Sequence, residues 1–193
     1  MPLTKKASLE ELIALTNEST MAVLTSVVKE PQGLGRIIRD DENNIEFIVE
    51  EKDANERQKL IKEINTGIMA FPVKKLKDWL PLIKNNNSQN EFYLTDIVSL
   101  ALEDKCQVKT SFCTYEYEAY GVNNMVQLAE LEKIYQQERA TEYMLKGVKI
   151  SDPSRFDLRG EAEISADVKI DINVILEGKV KIEKNVKIGA NCI

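Results

Sequence analysis

The sequence predicts an α/β protein whose C-terminal part turns into a stack of short repeats. Three observations lead there. Runs rich in β-branched residues alternate with helix-like runs through residues 1–123. A long helical run follows, so residues 124–160 read as a linking helix and loop. From about Glu161 to the end, aliphatics recur every six residues. Ile164, Ile170, Leu176, Ile182 and Ile188 form one set; Val168, Val174, Val180, Val186 and Cys192 form the other. A period of six marks hexapeptide repeats of a parallel β-helix, whose short strands line a triangular coil with inward aliphatics. An ordinary hairpin would also alternate, but alternation does not account for a strict six.

The elements follow in order. Ser8 and Glu11 have capping-box spacing, so a short helix is expected from Ser8, with Leu9, Leu12, Ile13 and Thr16 at helical intervals. Residues 21–28 form a continuous β-branched strand. Pro31 to Gly33 break it, and residues 36–39 and 45–50 pair as a hairpin around a polar turn. Asp53 to Glu56 cap a helix expected over 55–64, which leads into an apolar strand. Val73, Leu76, Trp79, Leu80 and Ile83 mark an amphipathic helix that ends in a polar loop at 85–88. Residues 95–102 are another helix, with Ile97, Leu100 and Ala101 inward, and 107–112 a strand. The long helix opens after Gly-Val-Asn-Asn (121–124) and runs to about Lys146, with Met125, Leu128, Leu131, Tyr135 and Tyr143 on or near one stripe.

Composition narrows the class. A chain of 193 residues suits one domain and an appendage, and 43% hydrophobic residues suffice for a core. A net charge of −6 argues against general nucleic-acid binding, while a small phosphorylated ligand held locally stays compatible. No apolar run approaches the roughly 20 residues of a membrane span. The stretch behind Met1 has no apolar signal core, so a cytoplasmic protein is expected. Its three cysteines lack metal-like spacing and read as reduced thiols. Histidine is absent, which removes Ser–His and Cys–His catalysis and any His-ligated metal within this chain.

Three places carry candidate binding chemistry. The first is Glu-Ile-Asn-Thr-Gly-Ile (63–68), where the Asn65 amide can donate and accept and Gly67 allows close approach. An Asx-type turn closing a helix is the plainer reading. The second is Gly-Leu-Gly (33–35), which can equally be a simple turn, followed by the strand-end acids Glu50 and Glu51. The third is Asn123-Asn124, which can also serve as a helix N-cap. All three fall at the ends of strands in an α/β pattern, and such sheets bind ligands beyond the carboxyl ends of their strands.

The ordered series Gly-Leu-Gly-Arg-Ile (33–37), Val-Glu-Glu-Lys-Asp-Ala (49–54), Glu-Ile-Asn-Thr-Gly-Ile (63–68), Tyr-Leu-Thr-Asp-Ile (93–97), Gly-Val-Asn-Asn (121–124) and Arg-Phe-Asp-Leu-Arg-Gly (155–160) resembles the bacterial bifunctional N-acetylglucosamine-1-phosphate uridyltransferase/glucosamine-1-phosphate acetyltransferases. It resembles their central part. The resemblance implies half of a Rossmann-like nucleotidyltransferase domain over 1–123, the linking helix, and the first coils of a left-handed β-helix over 161–193. It implies that Gly35, Glu50 and Asn65 face the sugar and that Asn123 helps hold Mg²⁺. The substrates implied are N-acetylglucosamine 1-phosphate and UTP, in the synthesis of UDP-N-acetylglucosamine for peptidoglycan and lipopolysaccharide. The assembly implied is a homotrimer, with no nucleic acid and no membrane. The family's glycine-rich triphosphate loop, its metal-anchoring aspartate and its acetyltransferase histidine have no match in the chain. The expectation is therefore no catalytic residue here, no turnover by the chain alone, weak sugar binding, and a frayed tail beyond Val180. The alternative is a non-catalytic hexapeptide oligomerisation module or sugar-binding remnant.

Overall fold

Short apolar strands and helices alternating over the first 121 residues assemble a mixed five-stranded sheet. A computed structural model describes all 193 residues, which divide into two compact units, Met1–Gly121 and Val122–Ile193. In the first unit β1 (Thr20–Val27) is a central strand and seven of its eight residues are buried, as a continuous apolar run requires. Around it lie β2 (Arg36–Arg39), β3 (Ile45–Val49), β4 (Glu63–Ala70) and β5 (Gln107–Phe112), in the order β3-β2-β4-β1-β5. β1 runs parallel to β5 and antiparallel to β4; β2 runs antiparallel to β3 and β4.

The helices of this unit are α1 (Lys6–Leu15), α2 (Glu56–Lys59), α3 (Val73–Trp79) and α4 (Ile97–Glu103). One core joins Met21, Val23, Ile37, Ile48, Trp79, Ile97 and Val98; another joins Leu12, Ala22 and Leu24. Of the amphipathic set, Leu76, Trp79 and Ile83 pack inward, whereas Val73 and Leu80 are exposed.

Two expectations are corrected. Helix α1 starts at Lys6, and Ser8 does not cap it. Ser8 lies inside the first turn and donates to Glu118 Oε2 at 2.7 Å. A buried carboxylate distant in sequence has claimed the hydroxyl that local spacing assigned to a cap. The helix expected over 55–64 is a single turn, α2. Its Asn55–Gln58 capping box forms, but Asp53 instead accepts from the Ser88 N–H. The chain beyond α2 is drawn into sheet pairing: Lys62 O accepts from Val28 N, and Glu63 is already opposite Val27.

The second unit opens with α5 (Met125–Leu145), capped by the Asn124 side chain, which accepts from Gln127 N. Its buried stripe is Leu131, Gln136, Ala140 and Tyr143, while Met125, Leu128 and Tyr135, expected inside, are exposed. The inward glutamine is fully used. Gln136 Nε2 donates to Leu158 O at 3.1 Å, and Leu158 N donates to Gln136 Oε1 at 2.8 Å.

The rest is β6 (Lys149–Ile150), β7 (Phe156–Ile164), β8 (Lys169–Ile170), β9 (Val174–Ile182) and β10 (Lys187–Ile188), all paired in parallel. β7 meets β9 from Phe156↔Val174 to Ile164↔Ile182, and Lys169 meets Lys187. Both registers are offset by eighteen residues, three hexapeptides. Residues at positive φ recur at the same offset: Gly160 and Gly178, Asp167 and Asn185, Asn173 and Asn191. Val148, Ile150, Phe156, Leu158, Val168, Ile170, Val174 and Leu176 fill the interior with Tyr143. The stack thus begins at Lys149, ahead of Glu161 where the aliphatic period becomes legible. Ile150, Phe156 and Ala162 are in phase with Val168, but a ring and a methyl hide the pattern.

Candidate functional site

Antiparallel pairing places the start of one strand beside the end of its neighbour. The β2–β3 hairpin therefore brings Gly35, just before β2, against Glu50, just after β3. Only Glu50 lies beyond a carboxyl strand end; the expectation that all three sites do so fails because the sheet is mixed. A Cβ on Gly35 would stand 3.2 Å from Glu50 Oε2 and 3.2 Å from Ile48 Cγ2. A buried glycine is what lets the carboxylate lie against the chain at this point.

Asn65 comes to the same place through β4. Its N–H donates to Gly35 O at 2.8 Å. The pairing of β1 with β4 passes from Thr25↔Asn65 to Val23↔Met69, so β4 carries two extra residues in a bulge. Thr66 pins this bulge by donating to Leu24 O at 2.7 Å, and Gly67 takes φ +80°. The Asn65 Oδ1 accepts from Gly67 N at 3.0 Å, an Asx turn inside a strand and not at the end of a helix. With Oδ1 so engaged, the amide's two N–H donors are what Asn65 offers a ligand.

The two adjacent acids have different partners. Glu50 Oε1 accepts from the buried Thr95 hydroxyl at 2.9 Å. Glu51 pairs with Arg36, whose side chain is 1% exposed and also donates to Leu34 O. An open cleft of about 210 Å³ is lined by both Glu50 and Glu51, with Gly33, Lys52, Gln89, Glu91 and Tyr93. Its rim is fastened by Ser88 N donating to Asp53 at 2.9 Å and Lys52 Nζ donating to Gln89 at 2.5 Å. Hydrogen bonds from Ser88 hold the Asp53 carboxyl below the usual range. Burial, then the charge of Asp53, push the Asp96 carboxyl up, and burial does the same to the Tyr93 phenol.

Gly35, Glu50 and Asn65 belong to the first unit and Asn123 to the second. Asn123 is exposed; its N–H donates to Gln127 Oε1 at 2.8 Å, and the capping role falls to Asn124. No group of three or more Cys, Asp or Glu side chains is arranged to hold a metal ion. Arg36 and Thr95 stand within the motifs at 33–37 and 93–97, but those motifs give them no role. An arginine between Gly35 and Ile37, where an apolar strand begins, was the available signal for the first. Thr95 carries no local signal, because its role depends on a partner 45 positions away.

No family model matches the chain. Among curated proteins it is 47% identical over 193 residues to the bifunctional protein GlmU of Pseudomonas putida strain F1. It is 50% identical over 194 residues to that of Neisseria meningitidis serogroup C, and 47% to that of Nitrosospira multiformis. Each match takes in the whole chain and 42% of the relative's length. Similarity at this level, unbroken along all its residues, makes the chain a member of the GlmU family that corresponds to a segment of these longer proteins.

Proposed function

We propose that the first unit is the sugar-facing part of a uridyltransferase site, in which Gly35, Glu50 and Asn65 hold N-acetylglucosamine 1-phosphate. The observation that carries this is their convergence: Asn65 N–H on Gly35 O at 2.8 Å, with the Glu50 carboxylate against Gly35. A carboxylate accepts from sugar hydroxyls more strongly than a neutral group does. The Asn65 amide supplies donors from the opposite strand. Glycine at position 35 lets the carboxylate lie against the chain, where a Cβ would stand 3.2 Å from it. In the full reaction a sugar-phosphate oxygen attacks the α-phosphorus of UTP and pyrophosphate departs, giving UDP-N-acetylglucosamine for peptidoglycan and lipopolysaccharide precursors. A Rossmann-like half-domain ahead of α5, α5 as the link, and a left-handed β-helix that begins at Lys149 fit this reading, as do a cytoplasmic setting and a homotrimer. No helix is long and apolar enough to cross a membrane.

Magnesium, implied by the family, does not fit the residues present. Asn123 contributes one exposed amide, and no set of carboxylates gathers a cation. The steps assigned here therefore rest on Gly35, Glu50 and Asn65 alone, and the chain by itself is expected to bind the sugar phosphate without releasing pyrophosphate.

Titration of the chain with N-acetylglucosamine 1-phosphate, followed by saturation-transfer NMR, tests the site. Weak saturable binding that Asn65→Ala and Glu50→Ala each reduce roughly tenfold is expected, the loss of one good polar contact. A signal indifferent to both variants sinks the proposal. Mg²⁺-dependent pyrophosphate release from UTP, abolished by Asn123→Ala, would overturn the non-catalytic expectation. The second reading, an oligomerisation module, draws on the eighteen-residue parallel stack. It wins if the chain forms trimers in sedimentation and shows no sugar binding.

A further inference from the structure

Arg36 is an unusual residue to bury. Its side chain is 1% exposed and its Nε has no hydrogen-bond partner. Burying a guanidinium with one N–H unsatisfied is unfavourable, and an apolar residue of similar length would avoid the penalty. The arrangement calls for a role other than stability. The guanidinium reaches all three segments that build the candidate site. It donates to Leu34 O, beside Gly35. It pairs with Glu51, the neighbour of Glu50. It also lies 3.5 Å from Lys59 O, in the turn that leads to β4 and Asn65.

We infer that the Arg36–Glu51 pair is a positioning device, which commits Glu51 to the protein and thereby aims Glu50 at the sugar. Consecutive acids at a strand end compete for one site, and a slip of one residue would exchange them. Locking Glu51 on a buried, planar, bidentate-capable cation removes that freedom. Thr95 completes the aim by donating to Glu50 Oε1, which leaves Oε2 as the oxygen without that bond; both oxygens lie against Gly35, at 3.3 and 3.2 Å from where its Cβ would stand. The inference rests on the sugar-site reading above. It adds a specific claim: although Glu51 also lines the cleft, its carboxylate is engaged by Arg36, and the pair acts on the ligand through Glu50.

A double-mutant cycle on the whole chain tests this, with N-acetylglucosamine 1-phosphate as the probe. Glu50→Gln and Glu51→Gln are each expected to weaken binding about tenfold, and the double variant no further, because both remove the same contact. Additive losses would mean that Glu51 acts independently and would overturn the inference. So would a Glu51→Gln variant that binds like the parent, although the sugar site would then stand. Absence of saturable binding in the unsubstituted chain overturns both. Because Glu51→Gln strands a buried cation and can unfold the unit, the paired replacement Arg36→Met with Glu51→Met is the second arm. It is expected to melt as high as the parent, to bind about tenfold more weakly, and to shift the Gly35 and Asn65 amide resonances without ligand. Parent-like affinity in that folded variant would show the pair to be purely structural.

Discussion

At the scale of single residues, the clearest case is Glu118, a carboxylate with no exposed surface. Burial pushes its pKa up, but hydrogen bonds from Lys5 N, the Ser8 hydroxyl and Tyr115 N outweigh this and hold the carboxyl below its usual range. A carboxyl depressed in the folded state stabilises fully above the unfolded value of about 4.3, and the contribution disappears as pH falls through the folded value. Urea midpoints should therefore drop on acidification below about pH 4.3 in the parent, and more gently in Glu118→Gln. At pH 7 that variant should lose about 1–3 kcal/mol. Ser8→Ala tests the same contact from the other side. If Ser8 serves Glu118 and not the helix end, its loss of about 1 kcal/mol should vanish in the Glu118→Gln background. The cysteines separate by environment. Burial, then the Glu118 charge, raise the Cys113 thiol to about 11, and Cys106 is buried and raised too, whereas Cys192 is exposed. Brief iodoacetamide treatment at pH 7.5, read by peptide mass spectrometry, should label Cys192 well ahead of the other two, since only the thiolate reacts.

At the scale of elements, the parallel stack depends on backbone approaching backbone. Gly160 has φ +144°, and a Cβ there would lie 2.2 Å from Gly178 O. Neither the angle nor the gap admits a side chain. Gly160→Ala should destabilise the second unit by at least about 3 kcal/mol, strain and overlap together. Gly178→Ala meets no atom within 4 Å and suffers only from its φ of +77°, so it should be the milder of the two. Thermal melting of the two variants decides the order. Helix α5 is held to β7 in a similarly specific way. Gln136→Leu keeps the volume but leaves the Leu158 N–H and C=O unpaired, and should cost about 1–3 kcal/mol. A stabilised Gln136→Leu would show that burial alone docks the helix.

At the scale of the whole molecule, two units with separate cores need not unfold together. Calorimetry is expected to resolve two transitions, with Gly160→Ala lowering one and leaving the other in place. A single transition displaced as a whole by that substitution would mean that the units form one cooperative block.

Local pattern was sufficient for the α/β class, the strand runs, the hairpin of β2 and β3, and the six-residue period, because each follows from which neighbours are apolar and at what spacing. The family, too, was legible from ordered short motifs. Local pattern misread what distant partners decide. Ser8 has the spacing of a cap but serves Glu118; residues beyond Asn55 have helical character but join β1; Met125 and Leu128 fit a stripe that α5 does not bury. The candidate site divides the same way. Gly35, Glu50 and Asn65 could be picked out by residue type and motif, and the motif Val-Glu-Glu-Lys-Asp-Ala favours Glu50 over Glu51, yet it gives no physical reason for the choice. That reason needs Arg36 and Thr95 brought in by the sheet, since a hydrogen bond 45 residues long is specified by packing and not by spacing.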